Sequence, residues 1–359
     1  VNILFYIAML TYYMINNALF NAPNVIARNY LHHGLTAIPI GLALAGINAW
    51  LLLSVYNRFP KWTMIEINRH LCGKFFGGAI SASYAALMII IGFFMFRGSL
   101  EVIIEFLMPD TPVWFLAILL ITIPLFGLLH NDSTILYLVA FFTAIAFILM
   151  LIIFWLGFKE IDPVMLKGVA VHGWKPPTVQ GISASLFVCG GYVGLAIWNP
   201  FFARTSLKAT LLLFVSVGLV AMSCGTIIPL AVWGPWAIRN LNLIWVMTAE
   251  TLSLDLFVME RGLFLIVPLL LITGYMGVLL YIYKGYRMLD LLLNKPKATR
   301  IIIGCVLAGY VVLALSVNEL KVIIRYREQY MVVWAVLQNI VGILWYALAK
   351  RKERGVSAP

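Results

Sequence analysis

Charge is what this chain has least of. Only 11% of its 359 residues are Asp, Glu, Lys or Arg, 63% are hydrophobic, and the mean hydropathy is +0.99. A soluble domain of this length needs polar faces at helical spacing, whereas here whole windows of about 20 residues carry no charge. A soluble fold is thereby excluded, and the chain reads as a polytopic membrane protein. Cysteine is scarce too. There are four, with Cys189, Cys224 and Cys305 in predicted spans and Cys72 in a predicted loop. No CxxC or Cys/His spacing occurs, so no metal site is assigned and all four read as packing residues. Neither HExxH, nor GxSxG, nor paired aspartates in adjacent spans is found, which leaves no catalytic set and no cofactor to assign. The net charge of +11 is the one feature that suggests nucleic acid, but the basic residues are scattered over helix ends, as membrane orientation requires.

What is present is a succession of long apolar runs. They fall at about 3–27, 34–56, 77–96 (with a polar extension to about 106), 113–129, 134–157, 182–200, 208–233, 263–286, 300–317 and 331–349. This predicts an all-α membrane protein with ten transmembrane helices in a single integral membrane domain, 1–359. The first run is too long for a secretory leader, and further spans follow it. The partly apolar segment 240–259 contains Glu250 and Asp255, which argue against an eleventh span; it reads as a helix lying at the membrane surface. An even span count puts both termini on one side. With both cytoplasmic, fifteen of the 25 Lys and Arg face inward, but only four of the 14 acidic residues do, the sense of the positive-inside bias. Lys284 and Arg287, at the inner end of the eighth span, read as interfacial anchors.

Two spans differ from the rest. The first contains Ile15-Asn16-Asn17-Ala18-Leu19-Phe20-Asn21-Ala22-Pro23-Asn24. Pro23 removes the helical donor to the Leu19 carbonyl and crowds it. Asn17, Asn21 and Asn24 would share one helix face, with Asn16 beside them. One reading is a proline kink with polar residues gluing helices together; the other is a discontinuous helix whose broken ends form half of a ligand site. Ten spans divide as five plus five, so the halves (about 3–157 and 182–349) would have opposite topology and the first span would correspond to the sixth. The sixth contains Cys189-Gly190-Gly191-Tyr192 and ends in Asn199-Pro200, so it too is interrupted. Small residues there also suit close helix packing. Interruptions at matching places in two halves are the sequence pointer to a transporter-type site.

Further pieces carry a resemblance. The loop after the second span reads Arg58-Phe59-Pro60-Lys61-Trp62-Thr63-Met64-Ile65-Glu66, followed by Gly73-Lys74 and Gly77. After the third span comes Phe106-Leu107-Met108-Pro109-Asp110-Thr111-Pro112-Val113-Trp114, and later Trp233-Gly234-Pro235 and Glu260-Arg261. In this order and spacing the chain resembles the membrane-embedded B subunit of spore germinant receptors, a branch of the amino acid–polyamine–organocation superfamily. The resemblance implies a ten-span inverted-repeat fold with helices 1 and 6 interrupted. It also implies nutrient sensing, often of amino acids, in a complex with A and C subunits in the spore inner membrane. Two departures stand in the expected pocket. Asn16-Asn17-Ala18 occupies a segment that is often glycine-rich in the family, and Val193 stands where a glutamate is often found.

A free amino acid is a zwitterion, and broken helices suit one: half-helix N-termini offer N–H groups to the carboxylate, and C-terminal ends offer carbonyls to the ammonium. Asn16, Asn17, Asn21, Gly190, Gly191 and Tyr192 are expected to line such a pocket, with Gly274 and Tyr275 of the eighth span as additional members. Arg97 and Glu101, at spacing four in the third span, either line an outer vestibule or let Arg97 reach the interface. Two functions remain open: a receptor subunit that binds a nutrient and signals through partners, or an ion-coupled amino-acid transporter. No Asp or Glu lies deep in any predicted span, which leans toward sensing.

Overall fold

The computed structural model describes residues 3–20, 22–28, 30, 34–174, 176–191, 195–202, 206–241, 243–256, 259–317 and 319–356. Among the described residues, seven helices are long and apolar enough to cross a membrane: α3 (Ala37–Arg58), α5 (Lys74–Phe106), α7 (Asp132–Lys159), α10 (Leu207–Ala237), α12 (Leu263–Leu293), α13 (Pro296–Ser316) and α14 (Leu320–Val356). The other three expected spans are shorter or interrupted. The first is α1 (Ile3–Phe20) followed by α2 (Ala22–Arg28), the fourth is α6 (Val113–Gly127), and the sixth begins as α9 (Val179–Val188). Large apolar side chains such as Phe141, Ile148 and Trp155 on α7 and Ile301 and Val312 on α13 are exposed, as lipid-facing surfaces of an integral membrane protein are.

The interrupted spans form the interior. Residues of α1 from Met9 to Leu19 are buried, as are those of α9 from Ser183 to Val188. Helix α1 packs on α7 and α10, the fifth and seventh spans; α9 packs on α14 and α3, the tenth and second. Each central span therefore has the same set of neighbours displaced by five, the pattern of a five-plus-five repeat. The third and eighth spans, α5 and α12, form the most extensive helix pair.

Local sequence explains where elements begin. Thr63 and Glu66 form a reciprocal capping box that starts the loop helix α4 (Met64–Cys72). Asn131 caps α7 by accepting from the Thr134 N–H at 3.0 Å, and Thr178 caps α9 by accepting from the Gly181 N–H at 3.1 Å. Within α10, Gly234 has φ of +73°, a conformation that favours glycine, and Pro235 restarts the helix beyond this kink.

The first span divides into two helices: α1 runs through Asn16-Asn17 to Phe20, and α2 begins at Ala22 with Pro23 in its first turn. A proline is tolerated in a first turn because the N–H it lacks has no helical partner there, so Pro23 begins a helix rather than kinking one. The 240–259 segment is not a helix lying on the surface. It contains the short α11 (Ile244–Thr251) and the antiparallel pair of strands β1 (Ser253–Leu256) and β2 (Met259–Arg261). Ile244, Trp245, Val246 and Ala249 are buried, and the Trp245 indole donates to the Gly225 carbonyl at 2.8 Å. Glu250 lies in the last turn of a helix that packs against α10 and α12, and position 255 falls in β1.

Candidate functional site

Helix α9 ends at Val188, and after Gly191 the sixth span continues with 3-10 turns at Leu195–Ile197 and Asn199–Phe201. The end of a helix inside a membrane leaves carbonyls that need donors. One of them, on Phe187, accepts from the Gly190 N–H at 3.1 Å and from the Asn17 side-chain amide of α1 at 3.0 Å. The polar residue of one central span thus satisfies the interruption of the other.

Glycines at the interruption permit two close approaches. A Cβ on Gly190 would lie 2.6 Å from Trp334 Nε1, and one on Gly191 would lie 2.3 Å from Tyr13 Cδ2. Both sequence readings of this pair therefore apply, since the glycines allow tight packing and lie where the helix stops.

An enclosed cavity opens here. Asn17, Gly190, Gly191 and Tyr13 line it from the central spans, Met88 from α5, Tyr281 and Lys284 from α12, and Tyr330 and Trp334 from α14. Space for water-sized spheres is about 10 Å³, enough for one water molecule. A free amino acid enters only if side chains move. Tyr330 and Trp334 stack with ring centroids 6.3 Å apart, and the Tyr330 hydroxyl donates to the Leu87 carbonyl at 2.9 Å, so this wall is held.

Lys284 is not at an interface. It is 1% exposed, because α12 continues to Leu293 and places this residue inside the bundle. Its ammonium lies over the Tyr13 ring at 3.9 Å, with the Trp198 and Tyr281 rings at 5.4 and 5.8 Å. Neighbouring Arg287 instead binds Asp132, the first residue of α7: Nε to Oδ1 is 3.2 Å and Nη2 to Oδ2 is 2.7 Å. The Trp198 indole donates to the same carboxylate at 3.1 Å. Spans five, six and eight are thereby joined at one end of the bundle.

Asn17, Gly190 and Gly191 come together at the cavity; Asn21 and Tyr192 lie outside the described residues. Asn16 turns instead toward α5, its amide 3.3 Å from Met95 Sδ. Gly274 and Tyr275 do not line the cavity; α12 reaches it further along, through Tyr281 and Lys284. Arg97 is buried in an ion pair with Glu101 rather than extended to an interface, about two and a half helical turns from cavity-lining Met88. Sequence reasoning missed the aromatic wall and Lys284. The available signal was that apolar residues continue past Lys284, at Met288, Leu289 and Leu291 to Leu293. The cysteines are unpaired, and burial pushes the Cys72 thiol up while Lys352 pulls it the other way.

A ten-span bundle whose central spans are interrupted around an enclosed cavity is the architecture of a transporter-fold membrane protein. The fold matches that of Mhp1, a nucleobase-cation-symport-1 family transporter solved in a closed conformation with bromovinylhydantoin bound. The TM-score is 0.57 at 12% identity, over 89% of this chain and 74% of that one. The chain belongs to the spore germination protein family of permeases, whose profile matches residues 1–322. A relative, the spore germination protein YndE of Bacillus subtilis (strain 168), is 26% identical over 157 residues, a match spanning 42% of each protein.

Proposed function

We propose that this chain is the membrane subunit of a spore germinant receptor. It binds a small nutrient, an amino acid, in the cavity between the interrupted spans and signals through A and C partner subunits. The observation that carries this reading is the joining of the two central spans: Asn17, in the last turn of α1, donates to the Phe187 carbonyl at the end of α9, and both residues line one cavity. A ligand that enlarges this cavity has to shift packing between the repeats, 3–157 and 182–349, and partners gripping both repeats would read that shift. The protein would reside in the spore inner membrane with both termini cytoplasmic. Arg97 and Glu101 would line the vestibule on the far side.

The fold likeness to a cation symporter keeps a second reading in view, an ion-coupled amino-acid transporter. One experiment addresses both. The chain is reconstituted in proteoliposomes, and binding and uptake of labelled amino acids are measured together. Saturable binding without flux is the expected result, and flux by the chain alone favours the transporter. If no amino acid binds, with or without partner subunits, and a normally expressed Asn17→Ala variant germinates unchanged, the reading is wrong.

A further inference from the structure

Lys284 places an amine in the middle of the bundle, with aromatic rings around it and no counter-charge against it among the described residues. Removing an ammonium from water is costly unless a counter-charge or a set of acceptors replaces the lost hydration. Three aromatic faces surround Nζ, at 3.9, 5.4 and 5.8 Å. Such faces attract a cation but carry no net charge. Among the described residues no carboxylate lies within ion-pair distance of Lys284. The nearby acidic groups are already engaged: Asp132 by Arg287 and Trp198, and Asp290 by Arg287 at 3.5 Å.

The cavity also holds polar atoms without a partner among the described residues: the Tyr13 hydroxyl, Asn17 Oδ1 and the Trp334 indole nitrogen. An indole N–H only donates, and an amide oxygen only accepts. The site therefore has one amine, cationic when protonated, and one donor suited to an anion, and one acceptor suited to an ammonium or hydroxyl. No described helix of eight or more residues starts at this cavity, so a half-helix dipole is not the source of positive charge.

We propose that Lys284 is the carboxylate anchor of the central cavity, with the ligand a small carboxylate bearing an adjacent hydrogen-bond donor that faces Asn17. This rests on the nutrient-binding reading above and deepens it by naming the group recognised. Esters, amides, sugars and simple amines lack the charge that Lys284 needs and are poor ligands. A bound carboxylate would draw the ammonium away from the Tyr13 ring, coupling occupancy to the contact between the first and eighth spans.

The test uses the full chain in lipid nanodiscs, with isothermal titration of L-alanine, L-leucine and L-glutamate beside L-alaninamide and L-leucinamide. Wild type is expected to bind an acid ~30-fold or more tightly than its carboxamide, the worth of one charge-assisted contact. Lys284→Met is expected to lose that preference and to melt, without ligand, no lower than wild type, because an unpaired buried charge has been removed. Lys284→Arg retains the preference for acids. Equal binding of acid and carboxamide by wild type overturns the assignment while leaving the nutrient site intact, as does unchanged acid affinity in Lys284→Met. Failure of every acid and amide to bind wild type, alone or with partner subunits, overturns both. Should Lys284→Met not fold, the acid and carboxamide comparison on wild type still decides.

Discussion

At the scale of single residues, the interior is organised by polar groups placed against backbone or against one another. Asn68 shows the logic away from the cavity. It is fully buried, donates to Ser81 Oγ at 2.9 Å and accepts from the Trp345 indole at 2.6 Å, tying the loop helix to the third and tenth spans. Gly191 has little freedom to change. An added methyl would meet the Tyr13 ring at 2.3 Å, and that ring is also the nearest face to the Lys284 ammonium. Overpacking of this kind typically costs about 1–3 kcal/mol. Gly191→Ala is therefore expected to lower the unfolding midpoint in wild type but to cost much less in a Tyr13→Ala background, because the obstructing ring is gone. A double-mutant cycle measured by thermal unfolding in detergent checks this. Strict additivity would mean that Tyr13 is not what excludes a side chain at 191.

At the scale of elements, the sixth span was legible and the first only partly. Gly190-Gly191 and Asn199-Pro200 mark a helix that stops, and it stops at Val188. Pro23 marks a boundary as well: α1 stops at Phe20, short of the proline, and the ring is accommodated in the first turn of α2. Lys284 was misread for a related reason. Hydropathy places a lone lysine at a span end, and only the packed helix shows that α12 carries it inward to the cavity. The same helix bears Arg287, whose two-point grip on Asp132 closes one end of the bundle. At the opposite end Arg28 meets Glu328 at a looser 3.7 Å and the Leu241 carbonyl at 3.2 Å. Asp132 is nearly buried and Arg287 partly exposed, so the pair lies between the surface and buried cases, and Asp132→Asn is expected to cost about 2 kcal/mol. Arg287→Lys is expected to destabilise as well, since an ammonium cannot reproduce the two parallel contacts. Thermal unfolding reads both. Midpoints equal to wild type would mean the pair is not holding spans five and eight together.

At the scale of the whole molecule, the alternation of ten apolar runs was readable because each crossing needs a length and an uncharged stretch that few other structures use. The cavity was not readable, because its aromatic wall comes from the eighth and tenth spans, whose tyrosines and tryptophan look no different in sequence from packing residues. Orientation is a separate consequence of charge. Lys61 precedes the capping box of α4 at the basic end of the bundle, and Lys167 lies on the exposed helix α8 (Pro163–His172) between the two halves; both are exposed. The bias of Lys and Arg predicts position 61 inside and position 167 outside. In a background with the four native cysteines replaced, Lys167→Cys is expected to react with a membrane-impermeant maleimide in intact cells. Lys61→Cys is expected to react only after permeabilisation. The reverse pattern would turn the bundle over, placing the Asp132–Arg287 closure toward the outside and the looser Arg28–Glu328 contact toward the cytoplasm. A nutrient arriving from outside would then meet the tight closure first, and would have to break the Asp132–Arg287 pair to reach the cavity.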